Sequence, residues 1–347
     1  MKSNKKDFPV LIVGQGLAGT VLAHHLHRAN LPFQIWDSPK THFTSSMAAG
    51  GIFNPVTGRK LEETWLANEL FDYLFPFYQQ LEEELNDSFF HPMPLFRPFA
   101  NAEMKKWLLD RKSEIDNAFL KWTDDGVWVE KTGWLDVAKL LSLSKDYFVK
   151  KGVFYSKEVI FDSIEFVEEN ASIQIGSECF SQVVFCEGFH CHNHNPYFGH
   201  LNFLPAKGEL LRFKNKTLSS DYILNKNGFI LPISKDEFKV GATYRWDDLS
   251  ALPHTNALTD LEKKLQQFQI DEYTAIELIS GVRPATQDRR PFVGFHPNLP
   301  VAIFNGFGSK GVSLIPYFAQ QWLDEFQNKN MIHEEASIRR FYHLFSL

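Results

Sequence analysis

Near its start the chain passes from a short apolar run through glycines into a helical pattern. Val10–Val13 is continuously apolar, as expected of a buried strand. After the glycines of Gly14–Gly19, apolar side chains at positions 17, 21, 22 and 26 recur at helical spacing. Phe33–Trp36 is a second apolar run, and it ends at Asp37. This order predicts a strand, a tight turn, a helix and a second strand.

Further helices are predicted along the first half of the chain. An amphipathic pattern fills Leu61–Leu85, and we expect Pro76 to kink or split that helix. Asn101–Leu120 has the pattern of another helix. A third is expected to begin after Asp136, which can serve as its N-cap, and to end at Gly152. Strands are predicted at 153–156 and 182–186, with a small antiparallel excursion between them.

Strand patterns dominate from position 205 to 280. The predicted strands are Glu209–Phe213, Phe229–Ile233 and Phe238–Tyr244. Alternation along the last one puts Tyr244 and Arg245 on opposite faces, so only one of the two can line a cavity. Thr259–Glu262 has the pattern of a capping box that opens a helix. Near the end, a strand at 301–304 leads into the glycines of 306–311, and a helix is expected near Pro316.

Composition narrows the class of protein. The 347 residues suffice for two domains, and a net charge of −6 without a long basic block argues against a nucleic-acid partner. Three cysteines, an odd count, favour reduced thiols over a disulfide framework. No run reaches the ~20 apolar residues that span a bilayer. We therefore expect a cytoplasmic protein with a small-molecule ligand.

The glycine turn has a specific chemistry. In the spacing Gly14, Gly16 and Gly19, the first glycine permits the turn, the second lets amides approach a pyrophosphate, and the third lets helix pack on strand. Asp37, at the tip of the second strand, suits the two ribose hydroxyls of an adenosine and would repel a 2′-phosphate. These residues predict a dinucleotide site, although the motif alone does not separate FAD from NAD.

Four stretches taken together resemble the D-amino-acid oxidase and glycine oxidase (DAO) family of FAD-dependent oxidoreductases. They are Val10–Asp37, the loop Ala48–Gly51, the segment GVRPATQDRRPFVG at 281–294, and NGFGSKGVSLIP at 305–316. The resemblance implies an α/β fold (α+β overall) of the glutathione-reductase type, with a Rossmann-like FAD-binding domain and a mostly antiparallel substrate domain. It implies domain bounds of 1–85, 133–200 and 281–347 for the first and of 86–132 and 201–280 for the second.

The resemblance also implies a set of residues around the cofactor. Glycines, small residues and hydroxyls are expected to lie against the ADP half, the pyrophosphate or the flavin ring, and Lys310 to add a cation near the flavin N1 and O2. The expected set is Gly14, Gly16, Leu17, Ala18, Gly19, Asp37, Ser38, Ser45, Ser46, Ala48, Ala49, Gly50, Gly51, Val159, Glu187, Gly188, Gly306, Gly308, Ser309, Lys310, Gly311 and Val312.

Two residues are expected to contact the substrate. Arg283 matches the arginine that grips the substrate carboxylate in this family, a task that suits a planar guanidinium. The alternative is a surface arginine or a structural ion pair. Tyr244 is expected to donate to the carboxylate or to close the pocket, with a place in the sheet core as its alternative. The implied reaction moves a hydride from the α-carbon of a small amino acid or secondary amine to the flavin, and oxygen or a quinone accepts the electrons.

Several features leave alternatives open. No cysteine lies near Arg283, so we expect FAD to be held without a covalent bond. Glu187 stands where the family usually has a small residue. The segment at 281–294 also resembles the oxidase domain of a bifunctional tRNA wobble-uridine-modifying enzyme, and an inactive flavin-binding protein is a further alternative. A polar loop at His190–His194 is favoured over a metal site, and we expect His24 and His27 to be exposed on the first helix.

Overall fold

The computed structural model describes residues 8–39, 44–170 and 172–345. Its chain divides into two compact units. The first unit comprises the described residues of 1–47, 137–206 and 282–347, and the second comprises 48–136 and 207–281. No helix within the described ranges is long and apolar enough to cross a membrane.

The helices and strands of both units are numbered here in chain order. The helices are α1 (Leu17–Arg28), α2 (Ala67–Leu85), α3 (Ala102–Asp110), α4 (Lys112–Ile115), α5 (Val137–Lys150), α6 (Ala257–Gln267) and α7 (Gly311–Phe326). The strands are β1 (Val10–Val13), β2 (Phe33–Asp37), β3 (Ile52–Phe53), β4 (Val56–Thr57), β5 (Glu62–Glu63), β6 (Phe90–Pro92), β7 (Leu95–Pro98), β8 (Leu120–Trp122), β9 (Gly126–Val129), β10 (Gly133–Leu135), β11 (Phe154–Ser156), β12 (Ile164–Val167), β13 (Ser172–Ile175), β14 (Glu178–Phe180), β15 (Gln182–Phe185), β16 (Ala206–Lys214), β17 (Ile223–Asn225), β18 (Phe229–Pro232), β19 (Glu237–Gly241), β20 (Thr274–Arg283), β21 (Phe292–Phe295) and β22 (Val301–Asn305).

The first unit is built on a six-stranded sheet in the order β11-β2-β1-β15-β22-β21. β1 pairs in parallel with β2 and with β15, β15 pairs in parallel with β22, and only β21 is antiparallel to its neighbour. Every residue of β1, β15 and β22 is buried, as a parallel sheet covered on both faces requires. The carboxyl ends of β1, β2, β15 and β22 therefore share one edge of the sheet.

The predicted β-α-β unit is confirmed, and the excursion between β11 and β15 is the antiparallel sheet β12-β13-β14. The final helix was placed too late, because α7 begins at Gly311 and contains Pro316. The proline removes one backbone hydrogen bond from the helix. The helix continues because its apolar face, which includes Leu314, Ile315 and Phe318, is buried.

The second unit is built on an eight-stranded sheet in the order β20-β16-β19-β18-β17-β7-β9-β8. Its described pairings are antiparallel apart from β17 with β7, so the predicted antiparallel sheet is confirmed. The predicted strand Phe238–Tyr244 is too long, since β19 ends at Gly241 and a cis peptide bond joins Gly241 to Ala242. Beyond this break the pairing with β16 resumes, because the backbones of Arg245 and Lys207 exchange hydrogen bonds of 3.0 and 2.8 Å.

Three helix predictions need correction. α2 begins at Ala67 and continues through Pro76 as one helix. The predicted helix Asn101–Leu120 is two short helices, α3 and α4, followed by the strand β8. α6 begins two residues before the predicted capping box at Thr259, with Asn256 as its N-cap. In each case the sequence pattern indicated a helix in the right region but not its first and last residues.

Residues 48–85 lie in the second unit, whereas the sequence assigned them to the FAD-binding domain. The physical reason is strand pairing, because β3 joins β10 and β6 in a three-stranded sheet. Val56 and Leu61 also share an apolar cluster with Leu95 and Leu231 of the large sheet. These contacts connect segments that are far apart in sequence.

The histidines of α1 are not the exposed residues we expected. His24 is fully buried, and its Nε2 lies 2.9 Å from Ser144 Oγ of α5. His25 is 3 % exposed, with its Nδ1 2.8 Å from the Val21 carbonyl oxygen. His27 is half-buried, and its Nε2 contacts the Tyr147 hydroxyl at 2.8 Å. α1 is therefore covered by α5 on the face that carries His24 and His27.

His25 makes the stability of the first unit depend on pH. Burial lowers the pKa of His25 from 6.5 to about 4, against a smaller opposing effect of its hydrogen bond to Val21. The unfolded chain protonates this imidazole near pH 6.5, but the folded chain does so only near pH 4. The free energy of unfolding should therefore fall as the pH drops through this window, by about 3 kcal/mol from this group.

The measurement is denaturant unfolding between pH 7.5 and 4.5 for the wild type, for His25→Gln, and for His343→Gln as an exposed control. His25→Gln should show a clearly smaller loss of stability on acidification, and the control should follow the wild type. Equal slopes for wild type and His25→Gln would contradict the assignment.

Candidate flavin site

The turn after β1 brings backbone groups too close together for any side chain. Gly14 has φ +99°, and a β-carbon there would lie 2.9 Å from the Cys186 carbonyl oxygen. A β-carbon on Gly19 would lie 1.9 Å from the Gly14 carbonyl oxygen. These two positions require glycine, one for its conformation and the other for close packing of α1 on the turn.

The N-terminus of α1 opens at this turn. The first backbone bond of the helix runs from the Thr20 amide to the Gly16 carbonyl at 3.0 Å, so the amides of Leu17, Ala18 and Gly19 precede the helical ladder. Ser46 Oγ accepts a hydrogen bond from the Leu17 amide at 3.0 Å. The predicted hydroxyl therefore lies at the helix end that favours anions.

Asp37 ends β2 beside the same turn. Its Oδ1 accepts a hydrogen bond from the Gln15 amide at 2.9 Å. Burial raises the pKa of Asp37, while the Gln15 hydrogen bond and the charge of Lys145 oppose that rise. The Gln15 side chain donates to the Leu141 carbonyl oxygen at 2.9 Å, which fixes this residue between the turn and α5. Asp37 Oδ1 is thus anchored to the turn.

A second glycine loop, residues 306–311, lies beside the segment that follows β20. Gly306 has φ +80°, and a β-carbon there would approach Thr286 Cγ2 to 2.8 Å. The Gly308 amide donates to the Pro284 carbonyl oxygen at 3.1 Å. The loop that opens α7 and the segment that carries Arg283 are therefore fixed to each other through their backbones.

Asn305 and Asn195 were not predicted from the sequence as residues of this site. Asn305 is 2 % exposed and ends β22, where its Nδ2 donates to the Gly188 carbonyl oxygen at 2.8 Å and its Oδ1 accepts from the Gly306 amide at 2.8 Å. Asn195 Nδ2 donates to Glu187 Oε2 at 2.7 Å. The signal for Asn305 was available, since it is a polar residue directly after a buried strand. Asn195, in an irregular loop, gave no such signal.

Cations gather near the start of α7. Partial burial lowers the pKa of Lys310, and the charges of Arg290 and Arg289 lower it further. Arg290 Nε is paired with Glu335 Oε2 at 2.8 Å. Ser309 precedes Lys310, and Gly311 and Val312 are the first residues of α7. The predicted residues 306–312 therefore form one continuous loop and helix N-terminus.

Three further predicted cofactor residues of the first unit are Ser38, Ser45 and Val159. Ser38 and Ser45 are half-buried. Val159 packs on the edge of the apolar cluster behind β15, three residues after β11, which pairs with β2 up to Asp37.

Ala48–Gly51 belongs to the second unit. Gly51 has φ +72°, and a β-carbon there would lie 2.0 Å from the Leu135 carbonyl oxygen. A β-carbon on Gly50 would lie 3.3 Å from the Phe229 ring. Packing within this unit therefore requires glycine at 51, whereas a side chain at 50 would need the Phe229 ring to shift.

Tyr244 lies on the irregular segment after β19. It is 50 % exposed, so it is not the core residue that the alternative proposed. Its ring lies 4.6 Å from that of Trp246, centroid to centroid. Arg245 instead contacts Asp260 and lies 3.9 Å from Glu209. Between these two neighbours, the tyrosine is the more exposed side chain.

His190–His194 follows β15 as a short 3₁₀ turn, Gly188–Cys191, and a loop. Cys191 is buried, and burial lowers the pKa of His192. Within the described ranges, no group of three or more His, Cys, Asp or Glu residues is arranged to hold a metal ion.

The two glycine loops and Asp37 meet at the carboxyl edge of a parallel sheet, which defines a dinucleotide-binding fold of the oxidoreductase class. The sequence profile of the family described as "FAD dependent oxidoreductase" (DAO) matches residues 9–323. The chain therefore belongs to the DAO family, and it is an FAD-dependent oxidoreductase.

Three similar proteins illustrate the family. Glycine oxidase of Bacillus subtilis is 24% identical over 370 residues, which cover 94% of this chain and 95% of that protein. A tRNA 5-methylaminomethyl-2-thiouridine biosynthesis bifunctional protein of Marinobacter nauticus is 23% identical over 91% of this chain but only 55% of that protein. The crystal structure of glycine oxidase from Geobacillus kaustophilus superposes with a TM-score of 0.78 at 18% identity, covering 95% of this chain and 98% of that one. This superposition shows a shared fold.

Substitution of Gly19 tests the geometry of the turn. In Gly19→Ala the added methyl group would meet the Gly14 carbonyl oxygen, so α1 must move away from the turn. We expect FAD binding to weaken at least about tenfold, ~1.4 kcal/mol. The measurement is FAD affinity, together with the ratio of flavin to protein absorbance after purification.

Gly152→Ala is the matched control for this substitution. It has φ +72°, but an added β-carbon meets nothing within 4 Å. It should cost about 1–2 kcal/mol of stability without a change in FAD affinity. Wild-type FAD affinity in Gly19→Ala would contradict the role of the turn.

Proposed function

We propose that this protein oxidises the C–N bond of a small amino acid or secondary amine of the glycine, sarcosine or D-amino-acid type. The observation that carries the proposal is the backbone bond between the Gly308 amide and the Pro284 carbonyl oxygen, 3.1 Å long. It holds the residue after Arg283 against the second glycine loop. This bond supports the proposal, because it holds the backbone next to the proposed carboxylate ligand against the proposed cofactor loop.

FAD is held, in this proposal, by the residues of the two glycine loops. When bound, it supplies the two-electron acceptor for the substrate. The turn at Gly14–Gly19 and the amides at the start of α1 suit the pyrophosphate, and Asp37 suits the ribose hydroxyls. Lys310 and the N-terminus of α7 suit an edge where negative charge develops. No cysteine lies near Arg283 in the sequence, which supports non-covalent binding.

Arg283 is the proposed carboxylate ligand. It ends β20, is half-buried, and its carbonyl oxygen accepts a hydrogen bond from the Ala285 amide at 2.9 Å. A guanidinium can make two charge-assisted hydrogen bonds to one carboxylate, which orients the α-carbon as well as binding it. Orientation is the main contribution that such a reaction requires from the protein.

Tyr244 is proposed as the second substrate residue. Its exposure leaves the phenol accessible, while the ion pair of Arg245 with Asp260 engages the neighbouring arginine. A phenol hydroxyl can donate to a carboxylate oxygen without adding charge. The likeness to glycine oxidase supports a small amino-acid substrate, and oxygen or a quinone is proposed as the electron acceptor.

A second candidate is oxidation of an aminomethyl group on a tRNA uridine. The relative from Marinobacter nauticus favours it, because the match covers nearly all of this chain. The chain spans about half the length of that bifunctional protein, and its net charge of −6 is unfavourable for RNA. We therefore rank the small-molecule substrate first.

An anaerobic substrate screen separates the two candidates. Glycine, sarcosine and D-amino acids are mixed with the oxidised protein without oxygen, and flavin absorbance near 450 nm is followed. At least one should bleach the flavin within seconds to minutes. Bleaching only by an aminomethyl-modified tRNA would favour the second candidate, and absence of bleaching by either class would contradict both.

Arg283→Met tests the carboxylate contact. Loss of a bidentate charged contact should raise KM for a carboxylate substrate roughly a hundredfold, since such a contact is worth about 2–5 kcal/mol. Arg283→Lys keeps the charge without the planar guanidinium, and its KM should lie between those of the wild type and Arg283→Met. The exposed Arg289→Met is the matched control and should keep the wild-type KM. An unchanged KM in Arg283→Met would remove this residue from the site.

A further inference from the structure

Glu187 lies beside the glycine turn that follows β1. It follows β15, and a β-carbon on Gly14 would lie 3.7 Å from Glu187 Cα. Gly14 is the first glycine of the turn that suits a pyrophosphate. An ionised carboxylate beside this turn would repel a ligand that carries two phosphate charges.

The carboxyl is held by one fixed donor. Asn195 Nδ2 donates to Glu187 Oε2 at 2.7 Å. The oxygen of the same amide accepts from the backbone amides of Tyr197 and Phe198 at 2.9 and 3.0 Å, so its orientation is determined. Only the NH₂ end of Asn195 can face the acid.

No cation neutralises Glu187 within the part of the chain that the structure describes, where its only recorded side-chain partner is Asn195. Burial raises the pKa of Glu187 to about 7, against a smaller lowering by Asn195. Cys186 and Cys191 are neutral neighbours, because burial raises the pKa of both thiols.

The other charged and titratable groups around Glu187 do not stabilise its anion. Asn305, from β22, is uncharged, and its side chain binds the Gly188 carbonyl oxygen. Asp37 ends β2 at the same sheet edge and offers no positive charge to a Glu187 carboxylate. The loop after β15 carries His190, His192 and His194, and burial lowers the pKa of His192. The surroundings therefore favour the neutral carboxyl.

We propose that Glu187 is a proton-carrying contact of the FAD site, neutral whenever FAD is bound, so that FAD binding above neutral pH takes up one proton from solvent. A neutral carboxyl has an O–H group that can donate to an acceptor oxygen, and it removes the repulsion from the phosphates. The inference depends on FAD binding but not on which amine the protein oxidises.

The direction of the pH effect follows from linkage. Below neutral pH the acid already carries its proton, and binding FAD requires no uptake. Above neutral pH the free form is ionised, so each further pH unit should weaken FAD binding about tenfold. Folding also favours the protonated form of Glu187, because this carboxyl ionises near pH 4.5 in the unfolded chain.

The test is FAD release from the diluted holoenzyme, followed by flavin fluorescence at constant ionic strength between pH 6 and 9. In the wild type Kd should be constant near pH 6 and rise about tenfold per unit above neutral pH. Glu187→Gln keeps a neutral donor of the same shape and should bind FAD with a flat profile. Glu165→Gln, on the exposed strand β12, makes the same charge change and should follow the wild type.

A second measurement does not depend on a variant that folds. Calorimetric FAD binding at pH 8 in buffers of different ionisation enthalpy reports the protons exchanged, and the wild type should take up close to one. A Kd independent of pH in the wild type, the same slope in Glu187→Gln, or no proton uptake at pH 8 would each overturn the proposal. Loss of amine oxidation with this linkage intact would count against the proposed function alone.

Discussion

The architecture of the first unit depends on one close approach of backbone to backbone, between the turn after β1 and the end of β15. At Gly14 a β-carbon would lie 2.9 Å from the Cys186 carbonyl oxygen, and at Gly19 it would lie 1.9 Å from the Gly14 carbonyl oxygen. With no side chain at either position, α1 can start directly over the sheet edge. At this edge Asp37 accepts a hydrogen bond from the Gln15 amide, and Ser46 Oγ accepts one from the Leu17 amide.

Charge at this edge is balanced between groups of opposite sign. The positive end of α1 and the charge of Lys310 favour an anionic ligand. Asp37 and Glu187 oppose it, yet each has a fixed hydrogen-bond donor, from Gln15 and Asn195. An acid with no cationic partner is costly to bury in ionised form. A neutral Glu187 does not repel an anionic ligand. The protonation of this carboxyl therefore links FAD affinity to pH.

Elements that depend on a local motif could be predicted from the sequence. The bounds of elements that depend on packing against segments far away in the chain could not. The turn at Gly14–Gly19 has a spacing that only a few structures use, so β1, α1 and β2 were predicted correctly. The start of α7 was missed, because Pro316 is normally a first-turn residue and only burial of its apolar face explains an earlier start. The alternation of β19 gave no warning that the strand ends at Gly241.

The candidate site shows the same division. The glycines of the first turn and Asp37 could be predicted from the sequence, because their chemistry is local to one motif. Asn195 and the buried His24 were not, since the first acts from a loop and the second is covered by Ser144 of α5, 120 positions away. A single sequence carries no sign of such pairings. The family assignment rests on motifs spread over residues 9–323, whereas substrate choice depends on side chains outside them.

Carboxylate binding beside the flavin can be measured by spectral titration of the oxidised holoenzyme with a carboxylate that cannot be oxidised, such as acetate or glycolate. We expect a saturable perturbation of the flavin absorbance, with a Kd that weakens strongly in Arg283→Met and hardly changes in Arg289→Met. A carboxylate that binds without perturbing the flavin, or with equal affinity to all three proteins, would contradict a carboxylate site built on Arg283 beside the cofactor.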